Sequence, residues 1–184
     1  MIALRMLLVM TLLTGVLYPL AMTGIAQLLF PRQANGSRIL RDGRVEGSEL
    51  IGAQFDDPKY FWSRPSATSP FPYNAASSSG SNFGPLNPDL KKAMEARRAA
   101  LLAADRANPL PIPIDLLTSS ASGLDPDISP EAAHYQTARV ARLRGRTPAE
   151  VDALVRRFTE QRQLGFLGEP RVNVVRLNRA LDRP

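Results

Sequence analysis

MLLVMTLLTGVLYPLAMTGIAQLLF, residues Met6–Phe30, is the stretch whose reading decides the architecture. It holds no charged residue, and Arg5 and Arg32 bracket it. As a helix rising about 1.5 Å per residue it reaches about 37 Å, enough to cross a hydrocarbon core of about 30 Å. Its dozen Leu, Ile, Val and Phe residues each favour insertion by about 0.3–0.6 kcal/mol near the helix centre. Pro19 opposes the helix by about 3 kcal/mol in water, and by less where membrane neighbours satisfy the backbone again. A cleavable signal peptide is the competing reading, with an apolar region of about 7–15 residues ending at a small-x-small site. This run is longer, and Ala21-Met22-Thr23 is a poor cleavage site with more apolar sequence beyond it. The stretch reads as an uncleaved anchor.

Working outward, residues 1–5 are a short N-terminal tail, 6–30 the span, 31–46 an exit segment and 47–184 a soluble domain. About 150 residues outside the span make one ordinary domain with enough chain for a core. The formal net charge is +6 and the sequence pI is near 10.3. Arginines are interspersed with Asp and Glu, without a basic block, so no nucleic-acid footprint is expected. The absence of cysteine excludes disulfides, thiolate catalysis and Cys-based metal sites. His134 is the only histidine and reads as an ordinary helix residue; no metal site is expected. Arg32, Arg38, Arg41 and Arg44 follow the span against Arg5 before it, which leans the domain toward the cytoplasm. Long domains translocate largely regardless of charge, so sidedness stays open.

In Pro31–Arg44, Asn35-Gly36 and Asp42-Gly43 are turn signals, the second joining Arg38–Arg41 to Arg44–Glu46 as a hairpin. Gly47–Phe55 reads as a short strand. Tyr60, Phe61 and Trp62 then precede Arg64-Pro65, and two readings stand side by side. Exposed, the cluster is a binding hot spot; buried, the rings are core and Arg64 ties down a loop carbonyl. Ser69–Pro88 is a long loop whose Phe71, Tyr73 and Phe83 argue for packing. Its Ser77–Asn82 portion superficially resembles a phosphate loop but lacks the Gly-Lys-Ser/Thr ending.

Asn87-Pro88 opens a helix running to near Asn108, with Leu90, Met94 and Leu101 on one face and Lys91, Lys92, Arg97 and Arg98 solvated. Pro111–Thr118 reads as a strand leading into Ser119–Pro126. A strand, a small-residue turn and the helix opening at Ser129-Pro130 form either an anion site or an ordinary turn. That helix runs to Gly145. Thr147-Pro148-Ala149-Glu150 is a capping box for a second helix, with Val151, Leu154, Val155 and Phe158 as its apolar stripe. Arg171–Arg176 reads as a strand, and a tail helix starts at Leu177. The fold class expected is a single N-terminal transmembrane helix plus a soluble α+β domain with a small mixed sheet.

GSELIGAQF (Gly47–Phe55), YFWSRPSAT (Tyr60–Thr68), PYN (Pro72–Asn74), GSN (Gly80–Asn82), LLTSSASGLDPDISPEAA (Leu116–Ala133) and RVNVVRLNRALD (Arg171–Asp182) follow one another in this order. With the span, they closely resemble the C subunit of the Kdp potassium-transporting ATPase, the KdpC family, over nearly the whole chain. Two departures are local: Ala53 separates Gly52 from Gln54, and Ser79 stands where the family usually has glycine.

The resemblance implies an accessory, non-catalytic subunit of a high-affinity, ATP-driven potassium importer in the cell inner membrane. Its implied partners are a potassium-channel-like subunit and a P-type ATPase subunit, with room for a small single-span subunit beside them. The sequence has no Walker loop, no Asp-Lys-Thr-Gly motif and no charge inside the span. Two mechanisms follow from the resemblance. A catalytic chaperone would raise the ATPase subunit's affinity for ATP, with Ser119, Ser120, Ser122, Gly123 and Gln136 as the nucleotide-influencing residues and no tightly bound cofactor. A cap would sit outside the cytoplasm and hold the complex together, as the family topology implies. In the span, Thr11, Gly15 and Gly24 would let a partner helix approach closely; Tyr60, Phe61, Trp62 and Arg64 complete the expected contacts. The competing classes are a membrane-tethered hydrolase using Ser122 and Asp125, for which no activating base lies nearby in sequence, and a basic polyanion- or lipid-binding module suggested only by the pI.

Overall fold

The computed structural model describes residues 1–41 and 43–182, and the chain forms two compact units, Met1–Ser48 and Glu49–Pro184. Asp42, half of the expected Asp42-Gly43 turn, lies outside the described residues.

In the first unit, α1 (Ile2–Leu12), a π-turn (Leu13–Leu17) and α2 (Tyr18–Leu29) run on as one apolar helix of 28 residues, long enough to cross a membrane. It begins earlier than Met6 and takes in Arg5. The π-turn has a local cause in Pro19. Proline lacks an N–H, and its ring clashes with the carbonyl four residues back, here that of Gly15. Widening the turn relieves the clash, and the Tyr18 N–H donates to the Leu13 carbonyl five residues back. A single helical turn, α3 (Pro31–Ala34), follows. β1 (Arg38–Arg41) and β2 (Arg44–Ser48) then pair antiparallel as the expected hairpin. Its register couples Arg38 with Ser48, Ile39 with Gly47, Leu40 with Val45 and Arg41 with Arg44, and a bulge falls between Ile39 and Leu40.

The expected strand over Gly47–Phe55 stops at Ser48. Beyond it the backbone packs against loops instead of a strand. The Gly52 N–H donates to the Leu124 carbonyl at 2.8 Å, and a Cβ on Gly52 would lie 2.3 Å from the Tyr73 ring. The second unit carries no helix or strand before α4 (Pro88–Ala104) among the described residues. Its other helices are α5 (Pro130–Arg144), α6 (Pro148–Phe158) and α7 (Val174–Leu181). β3 (Asp127–Ile128), β4 (Thr159–Glu160) and β5 (Arg171–Asn173) form a sheet in the order β3–β5–β4, where Val172 faces both Ile128 and Thr159. The α+β architecture is therefore present, but among the described residues every strand pairing is antiparallel rather than mixed.

Local chemistry explains these boundaries. Asn87 caps α4 by accepting from the Asp89 N–H, and Ser129 caps α5 by accepting from Ala132. α5 ends at Gly145, whose φ of +63° is left-handed. α6 opens on the Thr147–Glu150 capping box and turns Val151 and Val155 inward. Ala132, Ala133 and Ala141 are fully buried and let neighbouring elements approach α5 closely.

Three boundaries differ from expectation. α4 stops at Ala104, since the next residue, the buried Asp105, leaves helical geometry and pairs with Arg142 at 2.8 Å. Pro111–Thr118 is a 3₁₀ turn at Ile114–Leu116 rather than a strand, because prolines at 109, 111 and 113 supply no ladder donors. The Arg171–Arg176 strand ends at Asn173, whose side chain accepts from the Arg176 N–H and starts α7 before Leu177. In the long loop only Tyr73 packs as expected; Phe71 and Phe83 are exposed.

Candidate functional site

The aromatic segment after Pro58 is held by two side-chain amides. Gln136 on α5 accepts from the Trp62 N–H at 2.8 Å and donates to the Trp62 carbonyl at 3.1 Å. Asn178 on α7 treats Phe61 in the same way, accepting from its N–H and donating to its carbonyl, each at 2.9 Å. Each amide supplies one donor and one acceptor to one residue, as a neighbouring strand would. Two adjacent residues of an extended segment are thereby satisfied between two helices.

Phe61 and Trp62 are core, at 0% and 7% exposure. Their rings, expected as partner contacts, pack inside the second unit. Trp62 lies between two guanidiniums, Arg97 at 5.1 Å and Arg139 at 4.9 Å. Arg97, expected on a solvated face, instead donates to the carbonyls of Leu116 and Ser63, and burial holds its pKa below the usual arginine value. Arg139 donates to Gln136 Oε1 at 2.6 Å and to the Pro58 carbonyl. Burial lowers it to about 10, so it stays charged at neutral pH. Tyr60 is half-buried, its hydroxyl donating to Asp182 at 3.0 Å and its ring lying under Arg144 at 4.5 Å. Arg64 donates to the Ser119 carbonyl at 3.3 Å and pairs with Asp125 at 3.2 Å. Of the two sequence readings, the structure carries the one with buried rings and an arginine holding a loop carbonyl.

The serine loop is knotted to its neighbour in the same way. Ser120 Oγ accepts from the Gly123 N–H at 2.9 Å, and Ser122 Oγ from Leu124 at 3.1 Å. The Ser122 carbonyl accepts from the Ser79 N–H and the Ser78 hydroxyl, each at 3.0 Å. Ser66 donates to the Gly123 carbonyl at 2.7 Å. Gly123 has φ +68°, and a Cβ there would lie 2.6 Å from the Ser79 oxygen. Gly80 is pressed similarly against the Ala121 carbonyl, 2.7 Å from a would-be Cβ. Gln136 and the serine loop thus meet different parts of the 61–66 segment: Gln136 holds Trp62, while the loop holds Arg64 and Ser66.

A hollow of about 440 Å³ opens over this loop, lined in part by Leu50, Arg64, Ser120, Ser122 and Asp125. Its size suits a small molecule. Among its described lining residues, however, the one cation is already matched by the one anion, which opposes a phosphate. A second, apolar groove of about 880 Å³ runs between the proline-spaced Leu110–Asp115 segment and the start of α5, from Ser129 to Tyr135. His134 sits on its rim, its ring 3.4 Å from Asp152. In the span, a Cβ on Gly15 would meet Thr11 Cγ2 at 3.9 Å, while around Gly24 the space is open.

Sequence reasoning missed Asn178, Arg139 and Arg97. The signal for Asn178 was present: it stands one turn after Val174 and among Leu177 and Leu181, a polar residue on an apolar stripe.

The sequence matches the family described as KdpC, K+-transporting ATPase, c chain, over residues 1–183. It is 64% identical to the potassium-transporting ATPase KdpC subunit of Methylococcus capsulatus over 180 residues, covering 98% of this chain and 95% of that one. It is 62% identical to the subunit of that name from Dechloromonas aromatica over 180 residues, 98% and 94% of the two chains. With that of Herpetosiphon aurantiacus the identity is 61% over 181 residues, again 98% and 94%.

Proposed function

The chain belongs to the KdpC family, the c chain of the K+-transporting ATPase, and from that premise we propose that it acts in the complex by assembly and capping. In this reading it is the accessory, non-catalytic subunit of a high-affinity potassium importer of the inner membrane. Its span docks on a channel-like subunit and a P-type ATPase subunit, and its second unit lies outside the cytoplasm. Any effect on ATP affinity would reach the nucleotide through the partner ATPase subunit.

One observation carries this choice over direct nucleotide contact. Of the groups offered for a nucleotide, the Gln136 amide, the Ser120 and Ser122 hydroxyls, the Gly123 backbone and the Ser119 carbonyl are engaged in hydrogen bonds that fasten the chain to itself. Releasing them for a ligand would leave buried backbone groups unpaired, at about 1–3 kcal/mol each. The test titrates the purified full chain in mild detergent with a fluorescent ATP analogue, alongside a reporter fused after Pro184 that is active on one side of the membrane. No saturable binding and an external reporter are expected. Saturable binding abolished by Gln136→Ala, with a cytoplasmic reporter, would restore the nucleotide reading.

A further inference from the structure

We propose that the β1–β2 hairpin is a foot that lies on the bilayer beside the span, with Leu40 and Val45 in the acyl boundary and its arginines on anionic phospholipid headgroups. The inference rests on reading Ile2–Leu29 as a membrane span.

The hairpin is fastened to the end of the helix. Asn35 Nδ2 donates to Gln27 Oε1 at 3.0 Å and to the Pro31 carbonyl at 2.6 Å. Gln27 is two residues from the end of α2. The Ser37 N–H donates to the Arg32 carbonyl at 3.0 Å, and Ser48, at the end of β2, donates to the Gly36 carbonyl at 2.7 Å. These bonds hold both ends of the hairpin to the exit turn, and the exit turn to the last turn of the span. The hairpin therefore starts at the lipid–water boundary.

One face of it is suited to that position. Leu40 and Val45 are direct cross-strand partners, so they project together, and each is 57% exposed. Ile39, pointing the other way along β1, is 3% exposed. By the same alternation Arg38 shares the face of Leu40, while the cross-strand pair Arg41 and Arg44 borders it from the other face, with Arg41 paired to Glu46 at 3.3 Å. With Arg32 just before them, 31–48 carries four arginines against Asp42 and Glu46. Long arginine side chains lie along apolar surface and present their charge to the interface. An apolar pair edged by net positive charge matches an anionic lipid surface, the pattern of interfacial segments.

The chain has no cysteine, so Val45→Cys gives a single thiol for an environment-sensitive fluorophore. Labelled full chain is reconstituted into phosphatidylcholine vesicles, with and without phosphatidylglycerol, and quenched by lipids bearing a shallow nitroxide. Leu20→Cys reports on the span, and Leu40→Cys reads the same hairpin face should the label at 45 disturb the turn. The proposal expects the hairpin labels to lose about half their emission to nitroxide lipid, more in phosphatidylglycerol vesicles. Adding Arg38→Gln and Arg44→Gln should remove that extra loss. If the label at 20 is quenched by nitroxide lipid while those at 40 and 45 respond only to aqueous iodide, the hairpin is not on the lipid and the proposal fails. If no label is quenched by lipid, it falls together with the membrane reading of the helix.

Discussion

At the scale of single residues, Gln136 and Asn178 separate a structural from a ligand-binding reading. Each stands on a helix and completes the backbone of a buried aromatic residue. Gln136→Ala strips the Trp62 N–H, the Trp62 carbonyl and one Arg139 donor of their partner, so urea unfolding of the full chain should show a loss of about 3 kcal/mol. A residue kept only for nucleotide contact would leave the unfolding midpoint unchanged. Gly123→Ala should cost about 2 kcal/mol or more, since φ +68° is strained for alanine and the new Cβ strikes the Ser79 oxygen; an unchanged midpoint would mean the two loops separate easily. The sequence did not reveal the amide clamps, because Gln136 and Phe61–Trp62 are separated by more than seventy residues and their pairing is purely tertiary. It did present both burial readings of Tyr60–Arg64. Only the packing of α5 and α7 decides between them.

At the scale of elements, capping residues were legible and strand limits were not. Asn87, Ser129 and the Thr147–Glu150 box act within three residues of themselves, so local sequence suffices to place them. The strand at Gly47–Phe55 ends at Ser48, beyond which no partner edge is offered among the described residues, and this the sequence alone does not reveal. At Pro111–Thr118 the prolines at 109, 111 and 113 were in plain view and outweigh the apolar pattern. The capping box also carries a pH dependence. The Thr147 N–H, donating at 2.7 Å, and its hydroxyl hold the Glu150 carboxyl below the ordinary glutamate range. A carboxyl lowered by folding contributes stability above its unfolded value and loses it as pH falls through the folded value. The stability difference between the native chain and Glu150→Ala should therefore be full at neutral pH and shrink as pH falls below the ordinary glutamate range; urea melts from neutral to acid pH check it. A difference constant with pH would assign the effect to helix propensity alone. In the span, the π-turn ahead of Pro19 accompanies Thr11 and Gly15 on an exposed helix. Gly15→Leu is expected to lower recovery of the complex severalfold while leaving membrane insertion intact, measured by co-purification and carbonate extraction. Equal recovery would make the helix a simple tether.

At the scale of the whole molecule, the two units divide the work: an apolar helix with its hairpin, and an α+β unit whose polar interior is turned upon itself. Family membership was legible because the motif order spans the chain. The same motifs carry the internal fastenings described above, from Gly52 against Tyr73 to Asn178 against Phe61. Their roles lie in holding loops and helices together, which fits a subunit that joins others. The most direct test of that claim is affinity purification of the tagged full chain from native membranes in mild detergent. A multi-span channel-like protein and a P-type ATPase, identified by its phosphorylated aspartate, are expected to come with it in fixed proportion. Recovery of the chain alone, from membranes where both partners are present, would contradict it.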